Sequence, residues 1–108
     1  MPKGSRRREE YEIEFTDEDV LKVRFDRVET KVIQFSVQYL ALIEGEWRPI
    51  VRMDTAHAKA HMDTIRPDGI KTTTDLAAQN YSEALTWSIN EVKRRWEFYR
   101  QRYERWLK

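Results

Sequence analysis

The sequence predicts an α+β domain: an antiparallel meander of four to five strands, with one long C-terminal helix packed on one sheet face. Three observations carry that reading. Apolar and charged residues alternate with period two in Tyr11–Phe15 and Leu21–Asp26, and Val32–Glu44 continues the pattern with one wholly apolar face. Short turn signals separate the runs, Glu44-Gly45-Glu46 and Pro67-Asp68-Gly69 among them. Finally, no Gly or Pro interrupts the chain from Tyr81 to Lys108, which suits a single helix.

Taken in order, residues 1–9 hold a Gly, a Ser and a run of charges without periodicity, so a flexible basic arm is expected there, followed by one domain over 10–108. The first two strands form a hairpin across Thr16–Asp19, which sets acidic side chains of one against basic side chains of the other on the solvent face. In the third strand Ile33, Phe35, Val37, Tyr39, Ala41 and Ile43 share a face. The other face turns apolar at Leu40 and Leu42, and that end is expected to lie under another element. Trp47–Thr55 returns antiparallel, with Pro49 confined to an edge or a strand start because it has no N–H to donate. Ala60–Arg66 is a further strand, and Lys71–Gln79 reads as loop or a short edge strand. Asn80 and Glu83 then make a capping box that starts the helix near Tyr81. Leu85, Ile89, Val92, Trp96, Tyr99, Tyr103 and Trp106 recur at spacings of three and four and form its buried seam.

The 108 residues carry 40% hydrophobic and 36% charged side chains and no cysteine, which excludes disulfides and thiolate metal sites. No apolar run is long enough to cross a bilayer and no signal-like segment precedes the charges, so a soluble cytoplasmic protein is expected. The net charge of +1 hides an asymmetry: Lys3 and Arg6–Arg8 are basic, and Lys93–Lys108 has seven basic and two acidic residues. The body between them carries nine basic and seventeen acidic. Packing of a basic helix on an acidic body accounts for this, and so does a docking face for an anionic partner, RNA first. The same basic flanks argue against a self-paired coiled coil.

The stretch Arg52–Asp63 holds both histidines. If Asp54 and His61 lie on adjacent antiparallel strands joined in even register, paired positions sum to 115: Asp54 faces His61 and Arg52 faces Asp63, all on one side of the hairpin. His57 then sits at the tip. An imidazole beside a carboxylate suits general acid–base work. With Arg52 holding an anionic oxygen, Asp54 orienting and Asp63 nearby, His57 and His61 could cleave a phosphodiester as base and acid. The same residues could instead form a nitrogen and oxygen metal site, or a structural polar network in which Asp54 and the histidines fix the hairpin. No cofactor is implied.

A second stripe lies on the helix away from the seam, where Trp87, Glu91, Arg94, Phe98 and Arg105 interleave aromatics with charges and Arg102 adds to the basic flank. Cover by the Thr72–Gln79 loop, a homodimer contact, or a surface that stacks bases and neutralises phosphates each account for it.

The run from Val37-Gln38-Tyr39 through Gly45–His57, His61-Met62-Asp63, Pro67-Asp68-Gly69 and Asn80-Tyr81 to the Trp-rich helix resembles a family of small uncharacterised prokaryotic proteins, many from thermophiles. More distantly, Arg52-x-Asp54-x-Ala56-His57 is similar to the R-x-D-N-A-P-H stretch of TumE-type toxins of toxin–antitoxin systems. Here Thr55 replaces the Asn and no Pro precedes His57. That likeness implies action on RNA and an antitoxin-like protein partner. The expected function is therefore a small, toxin-like protein acting on nucleic acid, a ribonuclease in its sharpest form. The alternative is a non-catalytic binding or assembly module using the aromatic and basic helix.

Overall fold

A computed structural model describes residues 4–108, apart from the side chain of His57. Strands β1 (Arg6–Thr16), β2 (Asp19–Val28), β3 (Lys31–Ile43), β4 (Glu46–Asp54), β5 (His61–Ile65) and β6 (Lys71–Asp75) form one antiparallel sheet in chain order. Helix α1 (Tyr81–Trp106) lies against β3 and β4. The sheet thus has six strands where four to five were expected. The sixth escapes periodicity because every residue of Lys71–Asp75 is exposed, so no buried face imposes alternation, and pairing with β5 alone defines it.

Tight corners set the registers. Val28 pairs with Lys31 and Ile43 with Glu46, so both turns have two residues, and Glu29, Glu44 and Gly45 supply the positive φ that such turns need. A bulge in the β2–β3 ladder between Asp26 and Arg27 leaves Ile33 opposite no partner. This corrects the expected face of that strand's start: one extra residue reverses the alternation, so Val32 is buried and Ile33 half-buried. A second bulge, at Ile50, follows Pro49, and β5 pairs with β4 only from Val51 onward. Pro49 therefore lies where the ladder on its far side has ended.

Part of the expected arm, Arg6–Glu9, is strand. These residues continue β1 opposite Val28–Phe25, while residues 1–3 lie outside the described part of the chain. Asp26 explains the extension: its carboxylate, buried among the strands, accepts from Arg6 at 2.7 Å, Arg8 at 2.9 Å and Gln34 at 2.9 Å. The Arg8 hydrogen bond first, aided by Arg6 and opposed by burial, holds its carboxyl at about 2. A carboxyl depressed in the fold stabilises above its unfolded value, about 3.9, and that contribution is lost as pH falls toward the folded value. Urea midpoints followed by Trp fluorescence should therefore fall from pH about 4 to about 2, and Asp26→Asn should flatten the decline. Equal slopes in the two proteins would refute this assignment.

The core is one layer deep. Val23, Val37 and Met53 line up across three strands on the helix side, and Leu21, Tyr39 and Val51 form the next row. Against them α1 brings Ala84, Leu85, Ser88, Val92, Tyr99 and Tyr103, with Ile89 and Trp96 half-buried and Trp106 exposed at the end of the seam. Trp96 stacks on Phe15 with ring centroids 5.4 Å apart. Each such fully buried aliphatic side chain contributes about 1.5–3 kcal/mol. Asn80 caps the helix as expected, its Oδ1 accepting from the Glu83 N–H at 2.8 Å; the Glu83 carboxylate reaches one residue further back, to the Gln79 N–H.

One basic flank of α1 docks on the acidic body through Arg100. Its guanidinium donates to Asp19 Oδ1 at 2.7 Å, to the Leu42 carbonyl at 3.0 Å and to the Glu18 carbonyl at 3.3 Å. Asp19 is buried and also accepts from the Tyr39 hydroxyl at 2.6 Å and from Thr16 at 2.6 Å. Leu40 and Leu42, expected beneath another element, lie on the sheet face opposite α1, half-buried beside their ladder neighbours Val20, Trp47 and Pro49.

Candidate functional site

Away from the apolar end at Val20, Leu40, Leu42 and Trp47, the face opposite α1 is polar, because even-numbered residues of β1, β2 and β3 there meet even-numbered residues of β4 and odd-numbered residues of β5 and β6. One continuous cross-strand row runs Glu10, Arg24, Ser36, Asp54, His61, Asp75; its neighbour runs Glu12, Lys22, Gln38, Arg52, Asp63, Thr73. Asp54 opposite His61 and Arg52 opposite Asp63 is the even register expected from the sequence. The connection between those strands spans residues 55–60 and includes a 3₁₀ turn, Ala56–Ala58. Two side-chain bonds shape it. The Phe35 N–H donates to Thr55 Oγ1 at 3.1 Å, tying the corner to β3, and the Ala56 N–H donates to Asp54 Oδ1 at 3.2 Å. Ala58 sits at φ 61, a left-handed conformation that costs a non-glycine residue about 1 kcal/mol.

Four of the five residues expected to act chemically are brought together. His61 Nε2 lies 2.9 Å from Asp54 Oδ1 and 3.8 Å from Asp63 Oδ2. Its Nδ1 is 3.2 Å from the Lys59 carbonyl. Both ring nitrogens thus face oxygen acceptors; a neutral imidazole satisfies one of them and an imidazolium both. The Asp54 contact is the shorter and the ring is 13% exposed, so the Lys59 contact, two residues away and open to solvent, is the one a ligand could displace. His57 occupies the middle of the 3₁₀ turn, and its side chain lies outside the described residues.

Asp63 is the hub, with only 2% of its side chain exposed. It accepts from Thr73 at 2.6 Å and from Arg52 at 3.3 Å, with Lys71 at 3.8 Å. Burial works against its charge, but Thr73, Arg52, Lys71 and His61 together outweigh it and hold the carboxyl below its ordinary range. Such a group organises others; it is too enclosed to exchange a proton with a bound ligand. Arg52 spans the cluster, its Nε 3.4 Å from Asp54 Oδ2 yet buried and out of line for a hydrogen bond. Among the described residues no three His, Asp or Glu side chains are spaced to hold a metal ion.

Beside this cluster lies an open trough of about 780 Å³ that reaches Arg52 and Asp54; Lys22, Arg24, Gln34, Ser36 and Gln38 line it together with the carboxylates of Glu10, Glu12 and Asp26. Arg24 is exposed there and makes no ion pair among the described residues, whereas Lys22 meets Glu12 at 3.5 Å. Reading the histidine stretch alone misses this lining. The polar positions of β2 and β3 carry the signal, and only the strand registers place them in line with Asp54. Thr73 and Lys71 were equally hidden, since they sit on the strand that lacked periodicity.

The helix stripe is exposed except at Glu91 and, in part, Arg102. Trp87 and Phe98 are three turns apart, 45% and 40% exposed, and the Thr72–Gln79 segment does not cover them. Glu91, expected on the solvent side, is buried and accepts from the Tyr99 hydroxyl; burial first, then this hydrogen bond, pushes Tyr99 up to about 12. Phe98 lies between two guanidiniums, Arg95 at 4.6 Å and Arg102 at 5.3 Å. Arg102 also lies over the rings of Tyr99 and Trp106. Arg94 is exposed near Glu91, and Arg105 is exposed in the last turn. No helix among the described residues is long and apolar enough to cross a membrane.

Residues 5–108 match a family model described as Domain of unknown function (DUF7718). No curated protein and no solved structure matches the chain. These comparisons add nothing to the TumE-type likeness or to a thermophilic source.

Proposed function

The chain belongs to the DUF7718 family, whose function is unknown, and from the geometry of its own residues we propose that it acts on single-stranded RNA through the polar face of its sheet. The trough takes a short segment of the strand. Arg24 and Arg52 neutralise phosphates, and Gln34, Ser36 and Gln38 offer donors and acceptors to sugar hydroxyls and base edges. At the trough's end His61, anchored through Nε2 on Asp54, exchanges its Lys59 contact at Nδ1 for the substrate. One imidazole removes the proton of a 2′-hydroxyl, whose oxygen attacks phosphorus. The 5′-oxygen leaves and takes a proton from the second imidazole, which gives a 2′,3′-cyclic phosphate and a free 5′-hydroxyl. His57 is the second imidazole in this scheme, and Asp63 positions Arg52 and His61. The observation that carries the proposal is that the Asp54–His61 pair and the trough, with its unpaired Arg24, share one face.

Purified protein incubated with end-labelled single-stranded RNA tests it, with and without chelator. Cyclic-phosphate products in both tubes are expected. No turnover in either tube would sink the proposal, and turnover lost only with chelator would replace acid–base cleavage by a metal mechanism. A second reading, a non-catalytic binding or assembly module on α1, is favoured by the exposure of Trp87 beside Asn90 and Arg94. Under it, only changes at that patch alter the protein's behaviour.

A further inference from the structure

Strand β1 is a sheet edge of eleven residues whose outer backbone side pairs with no described strand. Long exposed edges are ordinarily blunted by proline, a bulge or charge of one sign. This one has no proline, its only bulge lies at Phe15 near the far end, and its charges are divided: Arg6, Arg7 and Arg8 are followed by Glu9, Glu10, Glu12 and Glu14. Read in reverse, the strand is therefore complementary to itself.

We infer that β1 pairs antiparallel with β1 of a second copy of this chain, about a two-fold axis through Glu9. In that register Arg6 faces Glu12 and Arg8 faces Glu10 on the polar side, while Arg7 faces Tyr11 on the helix side, each contact occurring twice. The charges available match. Glu10 and Arg7 make no ion pair among the described residues, and Arg6 and Arg8 share the one carboxylate of Asp26 while staying 55% and 51% exposed. Tyr11, an exposed aromatic at 43%, gains a guanidinium over its ring. Glu9 meets its own copy on the axis, and each is already neutralised by Arg27 at 3.2 Å. Shifting the axis to Glu10 would instead oppose two glutamates that have no such partner. The two sheets join into one of twelve strands with both polar faces on the same side.

The chain has no cysteine, so a single one reports the register. Glu9→Cys, oxidised mildly, is expected to cross-link into a dimer while Thr16→Cys does not, because residue 9 alone meets itself at disulfide distance. Light scattering on the unmodified chain should show a mass rising with concentration from 13.1 kDa toward twice that value. Glu10→Arg with Glu12→Arg should weaken the association roughly tenfold or more. A mass that stays at one chain up to the solubility limit overturns the inference, and so does equal cross-linking at positions 9 and 16.

Discussion

Arg100→Met is expected to lower the unfolding free energy by about 3–5 kcal/mol. Methionine keeps much of the aliphatic stem, so packing changes little. The donors to Asp19, Leu42 and Glu18 disappear together. Asp19 is then left as a buried carboxylate facing only two hydroxyls, those of Thr16 and Tyr39. Tyr39→Phe is the comparison: it deletes one hydrogen bond from the same carboxylate without removing its cation and should cost about 1 kcal/mol. Urea unfolding followed by Trp fluorescence measures both. If Arg100→Met costs no more than Tyr39→Phe, the helix is held by apolar burial alone and the Arg100 contacts are incidental.

His61→Ala is expected to reduce RNA cleavage by roughly 10²–10⁴-fold, the range for a positioned acid or base, while RNA binding weakens little. Asp54→Asn should follow in rate, because the amide cannot stabilise a cationic ring through Nε2. Arg24→Ala should behave differently, weakening binding and reducing the salt dependence by about one phosphate contact while sparing the cleavage step. A merely structural His61 would give the opposite pattern, with stability lost and rate per folded molecule unchanged. Circular dichroism on the same samples separates the two, since rates can be referred to the folded fraction.

How much of this was legible in advance differs from element to element. The α1 seam as far as Tyr103, the Asn80 cap, the Glu44-Gly45 turn and the apolar face of β3 from Phe35 on are local facts of spacing, and the structure repeats them. β6 is legible only as one of two alternatives, loop or short edge strand, because nothing buries it, and the start of β3 departs from the expected face because a single bulged residue, Ile33, inverts the alternation before it. Helical spacing puts Glu91 on the face away from the seam, yet Tyr99 sits two turns on and supplies a hydroxyl that makes burial tolerable.

For the site the division follows the range of the interactions. Arg52, Asp54, His61 and Asp63 share one short stretch, so residue order and the period of a strand predict that, in an even register, Asp54 faces His61 and Arg52 faces Asp63; the even register itself comes from the connection at residues 55–60. The trough, the Asp63 hub with Thr73 and Lys71, and the Arg100 latch join residues from separate strands or from opposite ends of the chain. Their contacts depend on ladder registers, and each register is decided jointly by turn length, bulges and the burial of the opposite face. Only the assembled sheet with the helix upon it determines that joint outcome.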